Sequence, residues 1–448
     1  MKKSLRIPAG LLASAFVVGS LGFAAPATAV PEAPKLTITV PEESAVNLCS
    51  NPLAPITVEE QRLSVVLQGQ SRPTASILIE AGGFNANVDK LVGELCSTAT
   101  LAAAKTLVAA AGSQLWRDAV DRAQGRLQQG SAEQIDDRPL YWARLAMTKA
   151  VRQWLPLFVL EPAQRDQLIK DLDYASRGVT SIGFPAGSEE QRRVLLTGFD
   201  PFFLDGTGAK RINPSGIAAL QLDGTEIETE NGPAVVQAAM LPVDWRAFDG
   251  GIVEQIYGTA LSASAEQRPG TIITISQGAG AGYNIEQWAA SNRGGTQDNN
   301  NYSARGDAPQ ASGWPQVDNQ FIETTLPAQQ MIDAGTGTRT VQLNPNFCES
   351  ANATRTPSSC KSSGTPAPGS YSVSGGGGSY LSNESMYRAN RVRLGLGLTT
   401  LAGGHLHTPY YDIPPVINGS GNTAFFDTLR RDTQQVVNLV AAAAAAQP

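Results

Sequence analysis

The sequence predicts an α/β fold: a doubly wound, mostly parallel sheet flanked by helices in three layers, with an added N-terminal helical module. Two observations predict it. After residue 193, short apolar runs that end in loops alternate with helical segments, the order expected of βαβ units. Over residues 88–176, apolar residues instead recur at three-to-four spacing, which is typical of amphipathic helices. The 448 residues exceed one usual domain length, so we expect two domains or one enlarged domain.

The first 29 residues have the organisation of a secretory signal peptide. A positive n-region (Lys2, Lys3, Arg6) precedes an apolar h-region at 11–21 and an Ala-Thr-Ala cleavage site that ends at Ala29. We therefore expect a secreted protein, extracellular or in the cell envelope. Loss of three positive charges moves the net charge from −6 to −9, which disfavours nucleic-acid binding. No later stretch is apolar for long enough to span a bilayer.

Two segments precede the α/β domain. Residues 30–62 are Pro-rich and predict an extended linker, and residues 63–187 predict the helical module. Breaks at glycine and proline divide the module into several helices. It contains no histidine and no recognisable motif, so we interpret it as a packing or interaction layer. The α/β domain is expected over residues 188–448.

The first strand of that domain is the apolar run 193–199, which has the character of a buried parallel strand. Asn213 is placed as the N-cap of a helix through Leu222, with Pro214 at its first position. Strands are then expected at 235–243 and 271–275.

Asp244 is placed as the cap of a helix that runs to about Ser262. Residues 294–376 are rich in Gly, Ser, Asn, Thr and Pro, and predict a long loop insertion. A helix is expected at 385–398, a strand around the histidines that follow, and a final helix at 423–446.

Four cysteines in an exported chain suggest disulfides. Three pairings can be drawn, and sequence proximity favours Cys49–Cys96 and Cys348–Cys360. None of the four has metal-ligand spacing, and a free catalytic thiol is not expected.

The chain has two histidines, His405 and His407. Histidine is the usual general base of hydrolytic sites because its pKa lies near neutrality, so imidazole chemistry in this chain must use this segment. Two other interpretations stay open. One is a structural polar group on a strand, and the other is a metal pair, although two ligands do not make a site.

Several segments occur in an order that resembles pyroglutamyl peptidase I. The run 197–202 (Thr-Gly-Phe-Asp-Pro-Phe), followed by Asn-Pro-Ser at 213–215 and Leu-Pro-Val at 241–243, resembles the opening of that family. Gln277 with the Gly/Ala turn and Ile-Glu at 285–286 resemble its glutamate segment. The run 377–383 (Gly-Gly-Ser-Tyr-Leu-Ser-Asn) resembles its nucleophile segment, and 405–409 the strand with its histidine. The resemblance covers about residue 193 to the C-terminus.

The resemblance implies roles for individual residues. Glu286 falls at the triad acid and His407 at the base, whereas Ser382 stands where the family has its nucleophilic cysteine. His405 falls where the family usually has an apolar residue and receives no role. Arg293 is the nearest candidate for the family's arginine, as oxyanion or charge support. The residues placed around the pyroglutamyl ring are Phe199, Phe202, Asn213, Gln277 and Tyr380.

The implied activity is removal of an N-terminal pyroglutamyl residue from a peptide, through an acyl-enzyme on Ser382 and without metal or cofactor. A seryl hydroxyl needs an adjacent imidazole as base, and that imidazole needs a carboxylate to orient it. A catalytically silent protein that binds lactams or peptide termini is the alternative, and a scaffold that acts through its helical module is a third. Taken singly, Ser382 could be a helix cap, Glu286 a surface acid, and His407 a structural imidazole. The oligomeric state stays open.

Overall fold

The computed structural model describes residues 49–186 and 191–447. The predicted signal peptide and residues 30–48 of the predicted linker lie outside the described residues. The helices are α1 (Val58–Gln61), α2 (Thr74–Gly82), α3 (Asn85–Ser97), α4 (Leu101–Ala123), α5 (Arg138–Gln153), α6 (Pro162–Ala175), α7 (Pro214–Leu222), α8 (Trp245–Asp249), α9 (Ile252–Leu261), α10 (Ala328–Asp333), α11 (Leu381–Gly395) and α12 (Thr423–Ala445). The strands are β1 (Arg192–Phe199), β2 (Glu226–Ile227), β3 (Ala234–Leu241), β4 (Thr271–Gln277), β5 (Tyr283–Glu286), β6 (Trp288–Ala290), β7 (Asn292–Gln297), β8 (Ser303–Asp307), β9 (Phe321–Glu323), β10 (Val341–Asn344), β11 (Phe347–Ser350), β12 (Ser359–Lys361), β13 (Tyr371–Ser374) and β14 (Ala402–Thr408).

A seven-stranded sheet organises the second half of the chain, in the order β10-β5-β14-β4-β1-β3-β2. Its four central strands, β14, β4, β1 and β3, are parallel to one another. β5 runs antiparallel to β14, β10 follows β5 in parallel, and the short β2 closes the other edge antiparallel to β3. The predicted α/β class with a mostly parallel sheet is confirmed.

Helices cover both faces of this sheet because successive side chains of each strand point to opposite sides. Val194 and Leu196 of β1 pack with α7 and α12 on one face. Leu195 and Phe199 pack with α8, α9 and α11 on the other. Strands buried on both faces are the reason why the apolar runs in the sequence are continuous rather than alternating.

Several predicted elements are found with shifted boundaries. Asn213 caps α7, its side chain accepting from the Ser215 N–H at 3.1 Å. Asp244 caps α8 as predicted, but the helix breaks at Gly250 and Gly251, the latter at a φ of 81° that favours glycine, and continues as α9. α11 begins at Leu381, four residues before the predicted start, which places Ser382 in its first turn.

The glycine-rich segment 294–376 is more ordered than its composition predicts. It contains α10 and several short strands, and β10 is a strand of the main sheet. The loop prediction fails there because strands of three to five residues carry too few apolar positions for the alternation to be visible.

The predicted linker is wrong for residues 49–62. Ser50 pairs with Trp154, α1 spans Val58–Gln61, and the buried Glu60 forms an ion pair with Arg152 at 2.8 Å. This segment therefore packs on the helices that follow it.

Helices α2–α6 form the predicted N-terminal helical region and pack against the α/β part. The apolar cluster of this region also includes Leu204, Leu220 and Met240, which lie outside α2–α6 in the α/β part. Two buried arginines of the region, Arg144 and Arg177, meet Asp200 at 2.7 and 2.6 Å. Because Asp200 directly follows β1, these ion pairs fix the segment after that strand to the helical region.

Both predicted disulfides, Cys49–Cys96 and Cys348–Cys360, are confirmed. No helix within the described residues combines the length and apolarity that crossing a membrane requires.

Candidate active site

His407 and Glu286 lie on neighbouring strands and are hydrogen-bonded. His407 is next to last in β14, and Glu286, at the end of the antiparallel β5, pairs with His405, so His407 and Glu286 are diagonal neighbours on one face of the sheet. The His407 Nδ1 and Glu286 Oε1 atoms are 2.6 Å apart, and the two side chains are 9% and 1% exposed. A carboxylate at Nδ1 favours a proton on that nitrogen and leaves Nε2 free to accept one.

Two further contacts hold the Glu286 carboxylate in place. Asn344 on β10 donates to Oε2 at 2.7 Å. Gly376 approaches the same oxygen so closely that a Cβ atom there would lie 2.0 Å from it. Glycine at position 376 is therefore required for the carboxylate to occupy this place. The structure thus excludes an exposed surface role for Glu286.

His405 lies beneath His407, with 4.5 Å between the ring centroids. Its Nδ1 is 2.7 Å from the Thr274 hydroxyl and its Nε2 is 2.8 Å from the Ser276 hydroxyl, so both nitrogens are satisfied. Burial and the neighbouring His407 lower the pKa of His405 well below its usual value, which keeps its imidazole neutral. His405 therefore has no ring nitrogen left to accept a proton from Ser382.

Ser382 lies in the first turn of α11 and lines one cavity together with His407 and Glu286. Its hydroxyl donates to the Gly377 carbonyl at 3.3 Å, and among the described contacts no hydrogen bond joins it to His407. Tyr380, not Ser382, occupies the N-cap position of α11, and no side chain caps this helix. The interpretation of Ser382 as a helix cap is therefore excluded. The N–H groups of the first turn remain open beside its hydroxyl.

A hollow of about 60 Å³ opens next to Ser382. This volume is several times the ~10–15 Å³ that one water needs. Ser276, Val243 and Leu381 complete its wall. All five residues that the resemblance places around the substrate ring line it, together with Ser382: Phe199, Phe202, Asn213, Gln277 and Tyr380.

The wall of this hollow is fixed by packing and hydrogen bonds. Phe199 stacks on Phe248, and the Tyr380 ring meets Trp245 edge to face. Asn213 donates to the Asp200 carbonyl at 2.9 Å. In contrast, the buried Oε1 atom of Gln277 has no hydrogen-bond partner among the described residues. An apolar hollow with an unpaired acceptor suits a small ring that carries an N–H donor.

A larger cavity of about 520 Å³ continues from the other side of Ser382. It brings Glu286, His407 and Ser382 to one surface and shares Phe202 and Gln277 with the smaller hollow. Arg211, Gly376 and Gly377 are among its other lining residues.

Sequence reasoning missed three residues of this site. Gly376 belongs to the run of four glycines at 375–378, which could have signalled a close backbone approach. Arg211 and Asn344 carry no pattern that separates them from ordinary surface residues.

Arg293 does not line either cavity. Its guanidinium donates to both Glu384 oxygens at 2.7 and 2.6 Å, contacts Asp249, and lies 5.0 Å from the centre of the Trp245 ring. Glu384 follows Ser382 by two residues, so Arg293 contacts the first turn of α11 rather than the space beside the serine. Within the described residues, no group of three or more His, Cys, Asp or Glu side chains is arranged to hold a metal ion.

Fold and site together define an α/β protein with a serine and a carboxylate-bound imidazole at the carboxyl end of a mostly parallel sheet. The chain belongs to the PA0049 family. The PA0049 N-terminal domain matches residues 41–173, and the PA0049 C-terminal domain matches residues 193–319 and 341–412. Uncharacterized protein PA0049 of Pseudomonas aeruginosa is 30% identical over 470 aligned positions, which cover 83% of this chain and 85% of the relative.

Two solved structures of lower identity are also similar to part of this chain. A mutant pyrrolidone carboxyl peptidase from Pyrococcus furiosus is 21% identical with a TM-score of 0.37, over 57% of this chain and 100% of the other. Pyroglutamyl peptidase I from Bacillus amyloliquefaciens is 18% identical with a TM-score of 0.38, over 57% and 97%.

Proposed function

We propose that the protein is an exported hydrolase that removes N-terminal pyroglutamyl residues from peptides, with Ser382 as nucleophile, His407 as general base and Glu286 as the acid that orients it. One observation supports this proposal above the others. The hydrogen-bonded pair His407–Glu286 and the serine share one cavity, and a ring-sized hollow opens beside that serine.

In the proposed reaction, the pyroglutamyl ring enters the smaller hollow, and the carbonyl carbon of the scissile peptide bond, outside the ring, lies at Ser382. The Ser382 hydroxyl forms a bond to this carbon while its proton passes to His407 Nε2. The bond to the peptide nitrogen then breaks, and the leaving amine takes the proton from His407. Water releases 5-oxoproline from the ester by the same route, and the serine recovers its proton.

The beginning of α11 supports stabilisation of the tetrahedral intermediate. The uncapped N–H groups of its first turn and the positive end of its dipole lie beside Ser382. Such donors act on charge that develops in the transition state, and loss of one typically costs about 3 kcal/mol in the barrier.

One observation favours a second candidate, a silent protein that binds pyroglutamyl or other lactam termini. The Ser382 hydroxyl donates to the Gly377 carbonyl rather than to His407, and its oxygen is smaller than the cysteine sulfur of the family that the sequence resembles, so it reaches less far. A misplacement of about 1 Å can cost on the order of 100-fold in rate. Because catalytic hydrogen bonds often tighten only when substrate is bound, we keep hydrolysis as the first proposal.

The test is hydrolysis of a pyroglutamyl amide of a fluorescent amine by the purified protein. We expect release of the amine, its loss in Ser382→Ala, and its retention in Ser97→Ala, which changes an exposed serine on α3. A serine-reactive phosphonate should label the wild type but not Ser382→Ala. Turnover that persists in Ser382→Ala would contradict the acyl-enzyme.

The same assay separates the two candidates. If the wild type is inactive but Ser382→Cys cleaves the amide, the hollow binds the pyroglutamyl ring as proposed, and the natural protein is a binding protein without turnover. If no variant cleaves it and 5-oxoproline does not raise the melting temperature, both candidates fail. Export is part of the proposal, and the two disulfides support it because such bonds persist mainly in oxidising compartments.

A further inference from the structure

Arg211 is an unpaired cation on the wall of the larger cavity. It lies between the segment that carries Phe202 and the helix cap Asn213. Its guanidinium forms no hydrogen bond or ion pair with any described residue, and its buried Nε atom is left without a partner. A buried donor without a partner is unfavourable, and more so when it belongs to a charged group.

The arginines around the site behave differently. Arg144, Arg177 and Arg293 are each held by one or two carboxylates. Among the described residues, Glu286 is the only carboxylate that lines the cavity with Arg211, and its two oxygens are taken by His407 and Asn344. No described residue therefore neutralises Arg211, and the cavity has room for a group that does.

The position of Arg211 indicates which part of a substrate it meets. The smaller hollow beside Ser382 is lined by aromatic, aliphatic and uncharged polar side chains, with no cation among the described residues, so it suits the neutral ring. Arg211 lines only the larger cavity, where the leaving amine would lie next to His407. A planar guanidinium binds a carboxylate through two parallel hydrogen bonds.

We propose that Arg211 binds a carboxylate of the leaving group, so that the preferred substrates are pyroglutamyl peptides with an anion on the residue after the scissile bond. This inference rests on the proposed function. The anion has two sources, the α-carboxylate of a pyroglutamyl dipeptide or the acidic side chain of a longer peptide. Arg211 is here a specificity residue and takes no part in bond breaking.

The experiment compares kcat/KM for four substrates in two pairs. The first pair is pyroglutamyl-alanine and pyroglutamyl-alanine amide. The second pair is pyroglutamyl-glutamate α-amide, with a free side chain, and pyroglutamyl-glutamate diamide, in which both the α- and the γ-carboxyl groups are amidated. We expect the wild type to prefer one or both of the anionic substrates over its amide partner by about 10- to 100-fold, the effect of charge-assisted hydrogen bonds. The first pair reports the α-carboxylate and the second reports the side chain.

Variants show whether Arg211 causes the preference. In Arg211→Gln, the ratio of acid to amide should fall to about one, and in Arg211→Lys it should be intermediate, because the charge remains and the paired geometry is lost. Arg431→Gln removes an equal charge from an exposed site on α12 and should keep the wild-type ratio.

The outcomes separate the inference from the function. If the wild type cleaves acids and amides equally, or if Arg211→Gln keeps the preference, the inference is wrong and the hydrolase stands. If no substrate is cleaved, calorimetry of Ser382→Ala with the same peptides decides. Tighter binding of the acids that disappears in the Ser382→Ala/Arg211→Gln double variant supports Arg211, and equal or absent binding overturns it.

Discussion

Asp200→Asn tests how the helical region holds the segment beside the ring hollow. The carboxylate bridges Arg144 and Arg177 at 2.7 and 2.6 Å, and all three side chains are at most 5% exposed. Asparagine has nearly the same shape but no charge, so the change removes the anion without opening a cavity. The two arginines lose unequal amounts of interaction energy with the carboxylate. The arginine that loses more determines how far the free energy of unfolding falls.

Arg177 keeps a second partner, because its Nε bonds both oxygens of Asp173 at 2.8 Å. Arg144 keeps Ser176, through its hydroxyl and carbonyl, and a long contact to the Met240 sulfur at 3.9 Å, but no other carboxylate among the described residues. Burial and the neighbouring Arg177 charge already lower the pKa of Arg144. The expected loss is therefore that of one broken buried ion pair, about 3–5 kcal/mol in the free energy of unfolding.

Urea unfolding followed by tryptophan fluorescence measures this loss. Asp205→Asn is the matched control, since Asp205 also pairs with an arginine, Arg62 at 2.9 Å, but is 80% exposed. Exposed pairs contribute about 0–1 kcal/mol, so the control should barely change stability. The reasoning is refuted if Asp200→Asn costs no more than Asp205→Asn. If Asp200→Asn does not fold, the Arg144→Met/Asp200→Asn double variant should recover part of the stability, because it removes the unpaired charge.

Two further predictions concern the site and its surroundings. Gly376→Ala should lower turnover of a pyroglutamyl amide at least about 100-fold, because its Cβ would lie 2.0 Å from Glu286 Oε2 and displace the carboxylate from His407. Gly93→Ala, where a Cβ meets no atom within 4 Å, is the control and should keep the wild-type turnover. Equal activities of the two variants would contradict the close approach. Burial, opposed by the Tyr141 hydrogen bond, raises the pKa of Glu59 from 4.5 to about 7, so its stabilising contribution is full below pH 4.5 and is lost as the pH rises through 7. Glu59→Gln should therefore gain about 2 kcal/mol of unfolding free energy over the wild type between pH 5 and pH 8, measured in urea, and parallel pH dependences would disprove this.

The sequence predicts the central strands and their flanking helices because these elements carry continuous apolar runs and specific caps. Asn213 and Asp244 identify two helix starts to the residue. The start of α11 is missed because Tyr380, at its N-cap, is not a capping residue type. The outer strands β5 and β10 are missed because four residues of mixed polarity do not show a period.

The candidate site is accessible from sequence through the order of its segments, not through any single residue. Glu286 and His407 are separated by 121 positions, and only the pairing of β5 with β14 brings them together. Arg293 illustrates the limit: the resemblance makes it the nearest candidate for the family's arginine, whereas the carboxylates of Asp249 and the buried Glu384 determine where its guanidinium lies.

The Asp200 bridge has a consequence for how this protein can be divided. A gene fragment that encodes only the portion after residue 190 would leave Asp200 without either arginine. Phe199 and Phe202 flank Asp200 and Pro201, so two aromatic residues of the ring hollow would lose the ion pairs that hold their segment to the helical region. We therefore expect an intact ring hollow to require the helical region as well as the α/β part. Shortened versions of the protein should be designed from the whole described chain.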